Sequence, residues 1–177
     1  MIICDAEAYH SQKMQKFMQQ DRKEKAWIFN ILKTDIPGET VYVRTPQWIL
    51  CLDKHYGADI RYLVIFTDKS LKTIRDLRAE HIPMLTSMNK QVKLWLRNHA
   101  PQENWQFYFH YMPSVFQLHL HVNTDRAMRN PDRIHPLHVV LKNIRQNADY
   151  YSKALILTKM CKTVKRMQSH RKITWAI

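Results

Sequence analysis

The chain has 177 residues, 45% hydrophobic and 11% aromatic, which suits one domain with a buried core and excludes disorder throughout. Its formal charge of +13 is uneven: residues 1–124 carry 16 Lys and Arg against 12 Asp and Glu, residues 125–177 carry 12 against 3, and from Lys153 onward there are seven basic residues and no acid. Only Gly38 and Gly57 are glycines, which excludes a P-loop and a G-x-G-x-x-G fingerprint, since both need several glycines for close backbone approach to phosphate.

Residues 6–33 are polar and helix-favouring, with Met14, Phe17 and Met18 spaced as a short apolar stripe. Pro37-Gly38 ends that helix in a turn. Residues 39–43 and 47–53 read as strands joined through Thr45-Pro46 in a hairpin, and residues 62–67 as a third strand. Ser70 is placed to cap a short helix through Leu77, and a longer helix over 80–98 carries Leu85, Met88, Val92 and Trp95/Leu96 on one face. Residues 104–112 and 115–123 form a second strand pair, 136–146 a helix and 154–158 a last strand. Strands, then helices, then strands predict an α+β fold, an antiparallel sheet covered on one side by helices.

No apolar stretch approaches the roughly 20 residues of a membrane span, and Asp5 follows the start too closely for a secretory signal. Cys4, Cys51 and Cys161 are odd in number and far apart, which favours reduced thiols in a cytoplasmic setting, with the nucleus as the alternative. The basic surface suits a polyanion, RNA among them, or serves only as a solvated tail; no RRM, KH or zinc-finger signature accompanies it.

The strongest chemical signal is Gln117-Leu118-His119-Leu120-His121-Val122. Strand side chains repeat every two residues, so Gln117, His119 and His121 are expected on one face and Leu118, Leu120 and Val122 on the other. A buried face is filled at less desolvation cost by Val or Ile, so two imidazoles and an amide in register point to a site. They read as half of a metal site lacking a local third ligand, as structural histidines tied to carbonyls, or as a nucleophile and its helper in phosphoryl or nucleotidyl transfer. Trp27 on an amphipathic helix and Glu39 and Asp53 at strand ends are equally at home in a core and in solvated turns. Trp48, Trp95, Trp105 and Trp175 read as packing, and His10, His81, His99, His135, His138 and His170 as surface residues.

With one replacement, this line resembles the His-φ-His-φ-His-φφ signature of the histidine triad (HIT) superfamily. The wider run Phe109-His110-Tyr111-Met112-Pro113-Ser114-Val115-Phe116 looks like the C-terminal catalytic domain of the scavenger mRNA decapping family. So do Ile74-Arg75-Asp76-Leu77, Trp27-Ile28-Phe29-Asn30-Ile31-Leu32, and Asn143-Ile144-Arg145-Gln146 before Tyr150-Tyr151. The resemblance implies a metal-independent hydrolase, without cofactor, that splits m7GpppN caps or related anhydrides through a nucleotidyl-histidine intermediate. It implies His119 as nucleophile, His121 and Ser114 at the phosphates, and Gln117 in place of the first histidine. Trp27 would stack on the methylated base, Glu39 would meet the guanine edge, and Asp53 the base and ribose. Lys54 or His55 would supply the lysine expected beyond it. Val115 replaces the family's tyrosine, and the hinge lysines of the family's large N-terminal lid have no secure equivalent, although Lys13, Lys16, Lys23 and Lys25 lie near the right place. Residues 1–26 are then an N-terminal helical arm, 27–160 a HIT-like catalytic domain and 161–177 a basic tail, the whole pairing as a homodimer with no membrane contact. Two rival expectations stand beside it: a catalytically weak module binding capped RNA or nucleotides, and a phosphodiesterase for another signalling nucleotide.

Overall fold

The computed structural model describes residues 2–4, 6–53, 61–101, 104–124 and 133–158. In chain order these form β1 (Ile2–Cys4), α1 (Ala6–His10), α2 (Gln12–Glu24), α3 (Ala26–Ile31), β2 (Val41–Arg44), β3 (Trp48–Leu52) and β4 (Arg61–Phe66). There follow α4 (Ile82–His99), β5 (Trp105–His110), β6 (His119–Thr124), β7 (Ile134–Pro136), α5 (Leu137–Gln146), α6 (Tyr150–Lys153) and β8 (Ile156–Thr158). Strands β2-β3-β4-β6-β5-β7 make one sheet in that order, every pair antiparallel, and β1 pairs with β8. The α+β expectation holds.

Alternation along the strands divides the sheet into two faces. Trp48, Leu50, Val64, Phe66, Leu120 and Val122 point to the back, where they join Leu85, Met88, Val92 and Leu96 of α4 and Val140, Leu141 and Ile144 of α5 in the main core. Burying each such side chain contributes about 2 kcal/mol. Ile49, Cys51, Leu63 and Ile65 point to the front and form a smaller cluster with Ile28 and Ile31 of α3 and with Val115. Burial pushes the Cys51 thiol up to about 12, helped by the nearby Asp53 and Glu39 carboxylates.

The long N-terminal helix of the sequence reading is three helices, interrupted at Ser11 and Lys25. Ser11 caps α2, its Oγ accepting from Met14 N at 3.2 Å. Residues 1–26 were expected as an arm, yet Tyr9, Met14 and Met18 are at most 2% exposed within the main core. The Tyr9 hydroxyl donates to Asp76 Oδ2 at 2.8 Å, fastening α1 to the following fold. The helix expected from Ser70 is instead a single 3-10 turn, Ile74–Asp76, capped by Thr73. Ser70 turns aside because both its N–H and its hydroxyl donate to Asp68 Oδ1, a local loop that competes with helix. Trp48 is core, and Trp95 and Trp105 pack against it; Trp175 and the 161–177 tail lie outside the described residues. No helix among the described residues is long and apolar enough to cross a membrane.

The Pro37-Gly38 turn is closed by Glu39 N donating to Ile36 O at 3.0 Å, with Gly38 at φ +85. Proline at the second position and a positive φ at the third define a type II turn. Space around Gly38 is open, so Gly38→Ala meets no clash and tests the backbone alone. We expect it to lower stability by about 1 kcal/mol in chemical denaturation. No measurable change would mean that the turn tolerates another geometry.

A histidine cluster on the front face of the sheet

β6 begins at His119, four residues later than the 115–123 strand expected from the sequence. Period-two alternation therefore starts there, and it puts His119, His121 and Asn123 on the front face. Cross-strand register brings Ile65 opposite His119, Leu63 opposite His121 and Arg61 opposite Asn123 on one side, and Tyr108 opposite His121 on the other. Asp53 stands at the end of β3 on the same face, its N–H donating to Arg61 O at 2.9 Å.

His119 is 7% exposed, and its Nδ1 lies 2.7 Å from Gln117 O. A carbonyl oxygen only accepts, so Nδ1 carries the proton and the Nε2 lone pair is left bare. Burial holds the ring below the usual imidazole range, and the Arg133 and Lys25 charges push the same way; the Gln117 carbonyl and Asp53 oppose them. His121 is 9% exposed and is held well below that range by burial, with His110, His119, Arg133 and Arg61 adding to it. Both rings are neutral at neutral pH.

His121 sits in a nest of rings. Tyr108 stacks on it at 5.3 Å and 15°, His110 lies 4.4 Å away, and His119 meets it edge-on at 5.2 Å. Asn123 Nδ2 donates to the Tyr108 hydroxyl at 2.8 Å, which fixes the stacking tyrosine. The Asn123 Oδ1 atom is buried and has no hydrogen-bond partner among the described residues.

Gln117 departs from the expected placement with the histidines, because it precedes the strand. It is fully buried, its amide nitrogen donating to Phe66 O and Asp68 O, both at 2.8 Å, while Arg22 Nη2 approaches its Oε1 at 3.4 Å. A neutral imidazole has one N–H and cannot make both donations, which accounts for an amide here. Its contribution to His119 is the backbone carbonyl.

The segment leading into β6 is strapped from outside the sheet. Phe116 N donates to the buried Asp21 carboxylate at 3.2 Å, Leu118 N to Leu71 O at 2.8 Å, and Tyr111 N to Arg133 O at 2.9 Å. Lys25 Nζ pairs with Asp21 Oδ1 at 2.6 Å and donates to Ser114 O, while Arg133 donates to Met112 O. Ser114 is exposed, and Trp27 is half-buried against the small front cluster. Glu39 is half-exposed beyond the type II turn. The structure thus gathers His119, His121 and Asp53 on one face and sets Trp27 on the cluster beside them. Lys54 and His55 lie outside the described residues.

Sequence reasoning did not single out His110, Tyr108, Asn123, Arg61 or Arg133. Pairing of distant strands brings them in, and only the alternation of Tyr108 and His110 along β5 could have hinted at two of them. His135, read as a surface residue, is half-buried, and burial beside Arg75 lowers it to about 4. Among the described residues no group of three or more His, Cys, Asp or Glu is arranged to hold a metal ion.

Paired neutral histidines on the inner strand of an antiparallel sheet, backed by buried arginines, define a histidine-triad-like domain. A family model described as "Scavenger mRNA decapping enzyme C-term binding" matches residues 26–134, more than half of the chain. The chain belongs to that family. Relatives named m7GpppX diphosphatase include one from Bos taurus, 25% identical over 140 residues, covering 72% of this chain and 42% of that protein. The Homo sapiens protein of the same name is 23% identical over 138 residues, covering 71% of this chain and 41% of that protein. This chain therefore spans less than half the length of these two relatives. Among solved structures, the aprataxin ortholog Hnt3 from Schizosaccharomyces pombe superposes with a TM-score of 0.46 at 13% identity, covering 82% of this chain and 88% of that one.

Proposed function

We propose that the front face is the active site of a nucleotide hydrolase of the scavenger-decapping type, cleaving m7GpppN-like caps or related nucleoside-phosphate anhydrides. The observation that carries this reading is the hydrogen bond from His119 Nδ1 to the Gln117 carbonyl, which leaves Nε2 unprotonated beside a cluster of cations. Nε2 attacks the phosphorus next to methylguanosine, the P–O anhydride bond breaks, and the remaining nucleotide leaves with that electron pair. Water then attacks the same phosphorus, the P–N bond breaks, and the imidazole returns neutral. His121, His110 and Arg133 surround the place where negative charge develops, so they stabilise it without reorganising. Ser114 lies at the phosphate rim. Trp27 offers an indole face to a cationic purine, a cation–π contact that separates m7G from G. Glu39 meets the guanine edge, Asp53 with Lys54 or His55 the base and ribose, and the Asn123 Oδ1 acceptor suits a ribose hydroxyl. The chemistry needs no metal or cofactor. The basic 161–177 segment would hold RNA, the domain would pair as a homodimer, and a cytoplasmic location fits reduced cysteines.

One observation favours the second reading, a nucleotide-binding module with weak catalysis. His119 is only 7% exposed, which restricts its approach to a phosphate, and the Gln117 side chain is committed to two main-chain carbonyls, so it does not replace a first histidine there.

The two readings separate in one experiment. The protein is incubated in EDTA with m7GpppG, dinucleoside polyphosphates, nucleoside phosphoramidates and cyclic dinucleotides. Release of m7GMP, with a transient acid-labile nucleotidyl adduct, supports the hydrolase. Tight binding without release supports the module. Preferred turnover of a cyclic dinucleotide would move the assignment to a phosphodiesterase.

A further inference from the structure

The helices behind the sheet present a surface that the histidine chemistry does not use. α4 and α5 lie against one another, and neither contains an Asp or Glu. Between them they expose Lys90, Lys93, Arg97, Lys142 and Arg145, and none of these five pairs with a carboxylate among the described residues. The helix dipole accounts for a cation in a last turn, such as Arg97 or Arg145, but not for Lys90, Lys93 or Lys142.

At the C-terminal end of α4 this surface is indented. A cleft of about 260 Å³ opens between that helix and the start of β5, with Lys93, Arg97, Pro101, Trp105 and Phe107 in its walls. The half-buried Trp105 is pinned there, its Nε1 donating to Ala100 O at 3.1 Å. Lys93 Nζ stands 5.6 Å from the centre of the Phe107 ring. Aromatic walls with cations on the rim fit a flat apolar group joined to an anion. A nucleotide unit has that chemistry, a base for the aromatic wall and a phosphate for the cations. Lys90 to Arg97 spans about 10 Å of helix axis, so the positive charge continues beyond the cleft in the direction a chain of phosphates would take. An anionic membrane fits less well, because the two helices expose only Leu94 and Val139 as large apolar residues and form no continuous apolar band.

We propose that this back face binds single-stranded nucleic acid, one unpaired base seated in the cleft beside Trp105 and the adjoining phosphates held by Lys90, Lys93 and Arg97. The site is separate from the histidine face and does not depend on hydrolysis there.

The test uses the full chain and a fluorescent oligouridylate of about eight nucleotides with a 5′-hydroxyl, which has no cap or anhydride for the front face. Anisotropy titrations are run over a salt series. The surface variant Lys93→Ala/Arg97→Ala is expected to bind about tenfold more weakly. Its salt slope should fall by about 1.4, two contacts at roughly 0.7 each for a single strand. Trp105→Phe, which keeps an aromatic ring but loses the pinning hydrogen bond, should weaken binding with the slope unchanged. Excess m7GpppG should leave the oligonucleotide in place. Unchanged affinity and slope in the double variant would overturn the proposal, as would displacement by m7GpppG or equal binding of a fully paired duplex. Lys93- and Arg97-dependent binding to phosphatidylserine vesicles, with none to the oligonucleotide, would overturn it in favour of a membrane surface.

Discussion

Replacing His119 by Asn is expected to abolish turnover of m7GpppG, with a fall in kcat of at least ~10³-fold, as for other enzymes that lose their nucleophile. Asparagine keeps a polar group of similar reach but has no lone pair on nitrogen able to attack phosphorus. Binding of the cap analogue should persist within a few-fold, because the surrounding cations and Trp27 are untouched. A variant that turns over at near wild-type rate would remove His119 from the chemistry. The pH dependence carries the same claim. In the proposed mechanism only the unprotonated ring attacks, so activity is expected above the folded-state value of His119 and is expected to be lost as pH falls through it. Burial lowers that value from 6.5, so the acid limb of kcat/KM belongs below pH 6.5. A limb centred above 6.5 would contradict the burial seen here.

Arg75→Met is expected to cost about 3–5 kcal/mol of stability, near 10 °C in Tm for a chain of this size. The guanidinium is fully buried. Its Nε donates to the Tyr111 hydroxyl at 2.6 Å, and its Nη1 donates to Tyr151 O and Ala154 O, both at 3.0 Å. It also faces the rings of Tyr111 and Tyr9 at 5.1 and 5.9 Å. One side chain thus ties α1, the strap before β6 and α6 together. Methionine fills similar volume but takes the donor away from two main-chain carbonyls, each loss costing about 1–3 kcal/mol, and gives up the bond to the Tyr111 hydroxyl. Lysine restores the charge but not the fork, so Arg75→Lys should recover only part of the loss. Urea denaturation of the three proteins measures both effects. A loss below about 1 kcal/mol for Arg75→Met would mean that the strap holds without this hub.

The sheet strands and the two long back helices were legible because each follows a local period. Leu85, Met88, Val92 and Leu96 recur at helical spacing, and His119 and His121 flank Leu120 at strand spacing. The same rule misled at Gln117. Alternation predicts a strand through residues 115–118, but there Phe116 N donates to Asp21 and Leu118 N to Leu71 O rather than to a neighbouring strand. The sequence reading has no strand at β1 or β7, each of three residues. Residues 6–24 read as polar because their buried face is narrow, resting on Tyr9, Met14 and Met18, and only docking shows that they complete the core.

Sequence alone determined which groups the centre holds: two imidazoles at i and i+2 beside a leucine, in a chain rich in positive charge. Those facts depend on neighbouring residues and on counting, which a linear chain displays. Tertiary structure decided what surrounds the pair. It brought in His110 and Tyr108 from one strand and Arg61 from another, and on the opposite side it set the cations of α5 beside those of α4, none of the five pairing with a carboxylate among the described residues. Register between strands far apart in sequence sets the ring contacts, and no local period encodes it.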